Sequence, residues 1–261
     1  MKRLLMVLAL TIFVFAGCDD ASIERPQETT APAPETKSTH SEAETEQITD
    51  NAGTGTSPEI DERELSYENE NIRVRIACPV ISGMLDTGLQ KKINDGIYGE
   101  LEQRAASLEQ DAAENNEKAF RYYLESRTFA GRSDDQIISV RAYIEFYAGG
   151  ANTGSDYIFI NVLNTRPGKE LAFADLFLPD ANYIGAVNAK IIELIENDPF
   201  GSDYWFSAVA EDQWYYLTDT HLVIVFPRYE IAAGAGGEPE FAIPLRELTD
   251  ILIPELRQHS E

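Results

Sequence analysis

Histidine and cysteine are almost absent from this sequence: three of the first and two of the second in 261 residues. His40, His221 and His259 share no metal-ligand spacing and have no cysteine cluster beside them, so no metal centre and no cofactor is expected. Lys and Arg are scarce, 21 against 45 Asp and Glu, for a net charge of −24. A chain so short of cations neither neutralises phosphates nor adheres to anionic lipid through a basic patch, which argues against nucleic acid as a partner. A cationic partner suits the charge; solubility or a salty habitat accounts for it as well. Also missing are the Gly-x-Ser-x-Gly elbow and the Ser-x-x-Lys pair of serine acyl chemistry. Gly234-Ala235-Gly236-Gly237 is followed by Glu238-Pro239-Glu240 in place of a lysine and a helix start. It reads as a tight loop and not as a phosphate cradle. No catalytic constellation is visible, although among 45 carboxylates a glycosidase-type pair stays open.

Long apolar runs are absent too. The longest, Leu4–Ala16, has thirteen residues, short of the roughly 20 that span a bilayer. It lies between Lys2-Arg3 and Phe15-Ala16-Gly17-Cys18, the layout of a secretory signal. Cysteine after two small residues resembles a bacterial lipobox, whose thiol is acylated and becomes the new N-terminus. Residues 1–17 are therefore expected to be a lipoprotein signal peptide. Lipid on Cys18 would hold the chain at the cell envelope, on the periplasmic or cell-surface side. Cys78, the other thiol, sits in an alternating apolar row and reads as buried and inert.

Residues 18–63 are rich in Glu, Thr, Ser, Pro and Ala. From Asp19 to Glu64 there are 13 acidic and 3 basic residues and few large apolar ones. Such a stretch buries too little surface to offset its ordering entropy, so a disordered acidic tether is expected. Near Leu65 the character changes. Ile72, Val74, Ile76, Cys78 and Val80 alternate as a half-buried strand. Leu85, Leu89, Ile93, Ile97, Leu101, Ala105 and Leu108 mark a helix face with Asp86 as its cap. Strands are expected around 120–125, 137–146 and 157–163, with Asp134-Asp135 as a turn. Arg166-Pro167-Gly168-Lys169 reads as a turn into a short strand through Leu171 and Phe173. Asp180 would cap a helix carrying Ile184, Val187 and Ile191. Trp214–Thr218 and Leu222–Phe226 read as paired strands, Phe241–Ile243 as the last strand, and Pro244–Leu252 as a terminal helix. The sum is α+β, a mostly antiparallel sheet packed with two or three helices.

Ala148-Gly149-Gly150-Ala151-Asn152 breaks the strand pattern, and glycine there permits positive φ. Aromatics crowd its approach (Tyr143, Phe146, Tyr147) and recur at Tyr204, Trp205, Trp214, Tyr215 and Tyr216. Exposed Tyr and Trp anchor partners or stack on sugars, whereas buried ones fill strands and cores.

Several short segments in order carry a resemblance. They are Tyr147-Ala148-Gly149-Gly150-Ala151, Gly168 with Leu171, Asp175-Leu176-Phe177, Leu217-Thr218, Leu222-Val223, Tyr229-Glu230-Ile231-Ala232, Ile243-Pro244 and Glu247-Leu248. From Leu65 onward the chain resembles the extracytoplasmic domain of RsiV anti-sigma factors and the accessory domain of PdaC-type peptidoglycan deacetylases. Residues 64–163 would be the PdaC-like half and 164–261 the RsiV-like half of one unit. The resemblance implies a non-enzymatic, envelope-facing binding domain. In the RsiV branch lysozyme is the ligand; in the PdaC branch catalysis belongs to a separate domain. The partner implied here is thus a basic, muramidase-like protein or peptidoglycan. Tyr143, Tyr147, Gly149, Gly150, Asn152, Trp205 and Tyr229 are the candidate contacts. Two positions depart from the family pattern: Asn152, where histidine is common, and Ala233-Gly234, where Pro-Tyr is common. An envelope enzyme working on peptidoglycan through a carboxylate pair is the alternative.

Overall fold

The computed structural model describes residues 57–115, 121–149 and 153–257. Strands β1 (Glu59–Glu68) and β2 (Ile72–Ser82) pair antiparallel, from Glu59 opposite Ser82 to Glu68 opposite Arg73. Residues 59–63, expected in the tether, therefore belong to the sheet. Ile60 is their one apolar residue and packs on the core, too little to announce a strand; backbone pairing to β2 holds the rest, and their charges suit a sheet edge that must not recruit neighbours. The proposed signal peptide, Cys18 and the tether up to residue 56 lie outside the described residues, as do Gly150 and Asn152.

In β2, Ile72, Val74, Ile76 and Cys78 are all buried. Burial pushes the Cys78 thiol up to about 11, against a smaller opposing pull from Arg63, so it stays protonated. Helix α1 (Thr87–Glu114) begins where Asp86 Oδ1 accepts the Leu89 N–H at 3.0 Å. The second oxygen of Asp86 accepts the Gly168 N–H at 3.0 Å, so the cap also ties down a distant turn. Ile93, Ile97, Leu101, Ala105 and Leu108 are buried on one face. Each fully buried aliphatic side chain of this kind contributes about 1.5–3 kcal/mol. Leu85, expected on that face, precedes the helix and is exposed.

α1 is the crossover that lets β3 (Tyr122–Ser133) lie parallel to β2. β4 (Ile137–Tyr147), β5 (Gly154–Leu163) and the two-residue β6 (Lys169–Glu170) follow antiparallel, in spatial order β1-β2-β3-β4-β5-β6. The strand expected through Leu171 and Phe173 stops at Glu170. Asp175 accepts the Ala172 N–H and a bond from Lys169, which closes a 3-10 turn over Phe173–Leu176. α2 (Tyr183–Asn197) is capped by Asn182 and not by Asp180. Asp180 has φ +64°, a turn conformation that an N-cap does not use.

A second sheet contains β7 (Tyr215–Leu217), β8 (His221–Val225) and β9 (Glu240–Pro244), all antiparallel. The expected terminal helix is broken. Leu245–Glu247 is a 3-10 turn, Leu252 bridges to Phe177, and only α3 (Pro254–Arg257) is helical beyond it. The architecture is α+β with mostly antiparallel sheets, as the pattern of elements implied.

Two hydrophobic cores share β4. Ile138, Val140 and Ile144 pack with α1 and β2, whereas Ile137 joins α2 and the second sheet. A buried polar seam joins the sheets. Ser139 Oγ donates to Asn161 Oδ1 at 2.7 Å and accepts the Leu217 N–H at 2.8 Å; Asn161 Nδ2 donates to the Tyr215 carbonyl at 3.1 Å. Fully buried Arg132 donates to the Asp134 carboxylate and to the Glu255 carbonyl, which links β3 to α3.

Candidate functional site

The sheet face away from α1 meets the second sheet and its loops along β4 and β5. Alternation puts Tyr123 of β3, Tyr143, Glu145 and Tyr147 of β4, and Ser155 and Tyr157 of β5 on that face. Cross-strand register sets Tyr123 opposite Tyr147 and Tyr143 opposite Tyr157. The first pair stacks at 6.0 Å and 19°; the second is tilted at 5.1 Å. Such pairs contribute about 0.5–1.5 kcal/mol beyond their buried area.

Carboxylates surround these rings. Tyr123 Oη donates to Glu145 at 2.9 Å. The Tyr157 phenol is pushed up to about 12, chiefly by burial and then by Glu240 and Glu238. Tyr143 is raised likewise, by burial first and then by Glu238 and Glu145. These tyrosines are therefore neutral hydrogen-bonding groups in a negative field. Arg141 lies over the Tyr216 ring at 3.9 Å and donates to Glu240 at 2.7 Å, so its charge is already matched.

At the end of β4 the chain turns through Gly149 with φ +63°. A Cβ there would stand 2.5 Å from the buried Tyr122 ring, so both conformation and space require glycine. The returning strand is tied to a distant loop. Arg228 reaches the Thr153 carbonyl at 3.5 Å and Glu238 at 3.5 Å, and Ser155 donates to that same Glu238. Tyr123 Oη is also within 3.3 Å of Thr153 Oγ1.

Beside Arg228 stands Tyr229, 63% exposed and with φ +73°. A left-handed conformation is costly for a residue with a side chain and marks a locally constrained turn. Its ring rests on Gly234, where a Cβ would lie 2.0 Å from the ring. The Ala233-Gly234 departure noted in the sequence thus supplies the bed for Tyr229. Trp205 is 57% exposed, and both its ends are held by the same loop: Nε1 donates to the Glu230 carbonyl at 2.8 Å and its backbone N–H to the Ile231 carbonyl at 2.9 Å.

One network therefore runs Tyr147–Tyr123–Thr153–Arg228, and continues along the chain through Tyr229 and Glu230 to Trp205. It includes Tyr147, Tyr229 and Trp205; Tyr143 packs against Tyr157, and Gly149 stands against Tyr122. Sequence reasoning missed Tyr123, Arg228 and Glu238, the residues that join the pieces. Tyr123 was signalled by its place in an alternating strand; the Arg228–Glu238 clasp had no local signal. Trp214 and Tyr216 lie instead beside Tyr157 and Arg141. Tyr215 is core, its Oη bonded to the Leu171 carbonyl at 2.8 Å. Cys78, His221 and Asp134 take no part.

Among the described residues no group of three or more His, Cys, Asp or Glu is placed to hold a metal ion. Among the described residues, cavities of 190–280 Å³ open beside α1, β1 and the second sheet, and each of these has a single Asp or Glu in its wall. Glycoside hydrolysis commonly needs two carboxylates facing one bond.

Comparison with known proteins divides the chain in the same order as the fold. Residues 65–155 match the family described as deacetylase PdaC, and residues 174–246 match a protein family of unknown function, DUF3298. The anti-sigma-V factor RsiV of Bacillus subtilis (strain 168) is 28% identical over 205 residues, covering 74% of this chain and 70% of that protein. A DUF3298 family member from Bacteroides fragilis matches with a TM-score of 0.53 and 16% identity, over 77% of this chain and 96% of its own. A DUF3298 family protein from Pseudomonas aeruginosa PAO1 matches with a TM-score of 0.53 and 20% identity, over 76% and 95%. At those identities the solved structures bear on the fold alone.

Proposed function

We propose that this chain, similar to RsiV and to PdaC-type proteins, is a non-enzymatic binding domain of the cell envelope whose ligand is a basic, muramidase-like protein. Lipid on Cys18 would anchor it, with the acidic segment after Cys18 as tether. Among the described residues no helix is long and apolar enough to cross a membrane.

The observation that carries the reading is the tie from Arg228 to Thr153, at the start of β5, made by the same loop that presents Tyr229 and holds Trp205. Exposed aromatics on a rigid, hydrogen-bonded loop are the kind of anchor that dominates binding energy. From Leu65 to the C-terminus the chain carries 32 acidic and 16 basic residues, so long-range attraction favours a cationic partner. The enzymatic alternative needs a carboxylate pair in one cavity, and the cavities described offer one carboxylate each.

Calorimetry tests the proposal. The mature chain, kept soluble by Cys18→Ala, should bind a basic lysozyme with micromolar or tighter affinity, and the on-rate should fall with salt because charge steering is screened over about 8 Å at physiological ionic strength. Tyr229→Ala and Trp205→Ala should each weaken binding about tenfold or more with the fold unchanged. Equal affinity for cytochrome c, vanishing at the same salt concentration, would reduce the effect to unspecific charge attraction and sink the proposal.

A further inference from the structure

The two edges of the six-stranded sheet are built differently. β1 carries six charged residues in ten, with Ile60, Leu65 and Tyr67 turned to the core. β5 carries Tyr157-Ile158-Phe159-Ile160, and β6 pairs with it only at Val162 and Leu163. The Leu171 N–H then closes on the Asn161 carbonyl at 2.7 Å, and the chain turns away into the 3-10 turn at Phe173. Asn161 thus aims its backbone outward, and the two-residue alternation of an antiparallel strand aims Phe159 and Tyr157 the same way. Asp156 Oδ1 occupies the Tyr157 N–H at 2.8 Å, whereas no strand among the described residues pairs with Phe159 on that side.

A cavity flanks this edge on each face. Toward α1 there is one of about 280 Å³, walled by Ile93, Ile97, Ile158 and Ile160, with the Lys92–Glu170 ion pair also in its lining and Gly96 leaving the helix side open. Toward the second sheet there is one of about 210 Å³, lined by Asp212, Gln213 and Trp214. Phe159, Asn161 and Leu171 border both. A strand laid in line with β6 would send alternate side chains into the two cavities. The first accepts an aliphatic group. The second offers an aromatic ring and a carboxylate, the chemistry that holds a cation. The acidic charge of the whole domain favours the same occupant.

We propose that the β5 edge is a strand-addition site for an extended segment of a partner protein in which aliphatic and basic residues alternate. Backbone bonds to Phe159 would give the register, and the paired cavities would select the side chains. This edge is separate from the loop surface at Tyr229 and does not depend on the ligand proposed there.

The probe is a blocked nine-residue peptide of alternating lysine and valine, titrated into the mature Cys18→Ala chain, with amide exchange followed by NMR. We expect saturable one-to-one binding and slowed exchange at the Phe159 N–H, with β1 unaffected. An alternating glutamate–valine peptide should not bind. Gly96→Leu fills the first cavity from the helix; because a Cβ at Gly96 meets nothing within 4 Å, the fold should persist while affinity falls about tenfold. Asp212→Asn should weaken binding severalfold. Absence of binding, unchanged exchange at Phe159, or full affinity in Gly96→Leu would overturn the proposal. So would a dimer seen by sedimentation and abolished by Gly96→Leu, because the occupant would then be a second copy of the chain.

Discussion

Gly149→Ala should destabilise the domain by about 3 kcal/mol, the sum of two separable costs. The first is conformational: at φ +63° a side chain costs roughly 1–2 kcal/mol. The second is steric. The new Cβ would stand 2.5 Å from Tyr122 Cε1 and 3.0 Å from its Cζ. The Tyr122 ring is buried and its hydroxyl accepts a bond from Asn115 Nδ2 at 2.9 Å, so it is not a loose end that swings aside. Overpacking of this kind costs about 1–3 kcal/mol. For a domain of about 200 residues, each kcal/mol lowers Tm by about 2–4 °C, so the expected fall is roughly 6–12 °C. Thermal unfolding of the soluble Cys18→Ala chain measures it. A double-mutant cycle separates the terms: in a Tyr122→Leu background the clash disappears and Gly149→Ala should cost only about 1 kcal/mol. Strict additivity of the two substitutions, or a Tm change under about 2 °C for Gly149→Ala alone, would refute the reasoning.

Asp134→Asn should destabilise the chain by about 1.5–3 kcal/mol in denaturant titration, because fully buried Arg132 loses its charge-assisted bond to that carboxylate. Burial works to raise the Asp134 pKa, but bonds from the Ile137 N–H, Arg132 and the Gln136 N–H together hold it below the ordinary carboxylate value. Its contribution is therefore present above the unfolded-state pKa near 4 and is lost as pH falls through the lower folded value; the Asn variant should show a shallower acid transition. Cys18→Ala should move the protein from the membrane to the soluble fraction, since stable anchoring takes two or more chains on that thiol. Unchanged pelleting would disprove the lipid anchor.

How much of this was legible in the sequence depended on the range of the interactions. α1 was readable because its signals are local: apolar residues every four positions and a capping carboxylate three residues before Leu89. The alternating strands β2 and β4 were readable for the same reason. β1 was not. Its first half is charged but for Ile60, and the alternation of Leu65 and Tyr67 comes only at its end, so pairing to β2 is what makes it a strand. The cap of α2 was misplaced by two residues because Asp180 and Asn182 are chemically equivalent candidates, and only the backbone angles of the preceding turn separate them. The broken C-terminal helix follows from the bridge between Leu252 and Phe177, a pairing across 75 residues that no local pattern contains.

The candidate site shows the same division more sharply. Its exposed members were visible individually, as aromatics beside glycine turns. What makes them one surface is a clasp of long sequence separation, with Arg228 reaching back to Thr153 and Glu238 to Ser155. That clasp spans the boundary between the segments that match PdaC and DUF3298, while β4, which lies wholly in the first, serves both cores through its consecutive residues Ile137 and Ile138. Neither segment can present the surface alone. Arg228 ties Thr153, at the start of β5, to the loop from which Tyr229 stands out. If recognition resides there, a substitution at Arg228 should disturb contacts from both segments together, whereas one at Tyr229 should remove a single anchor.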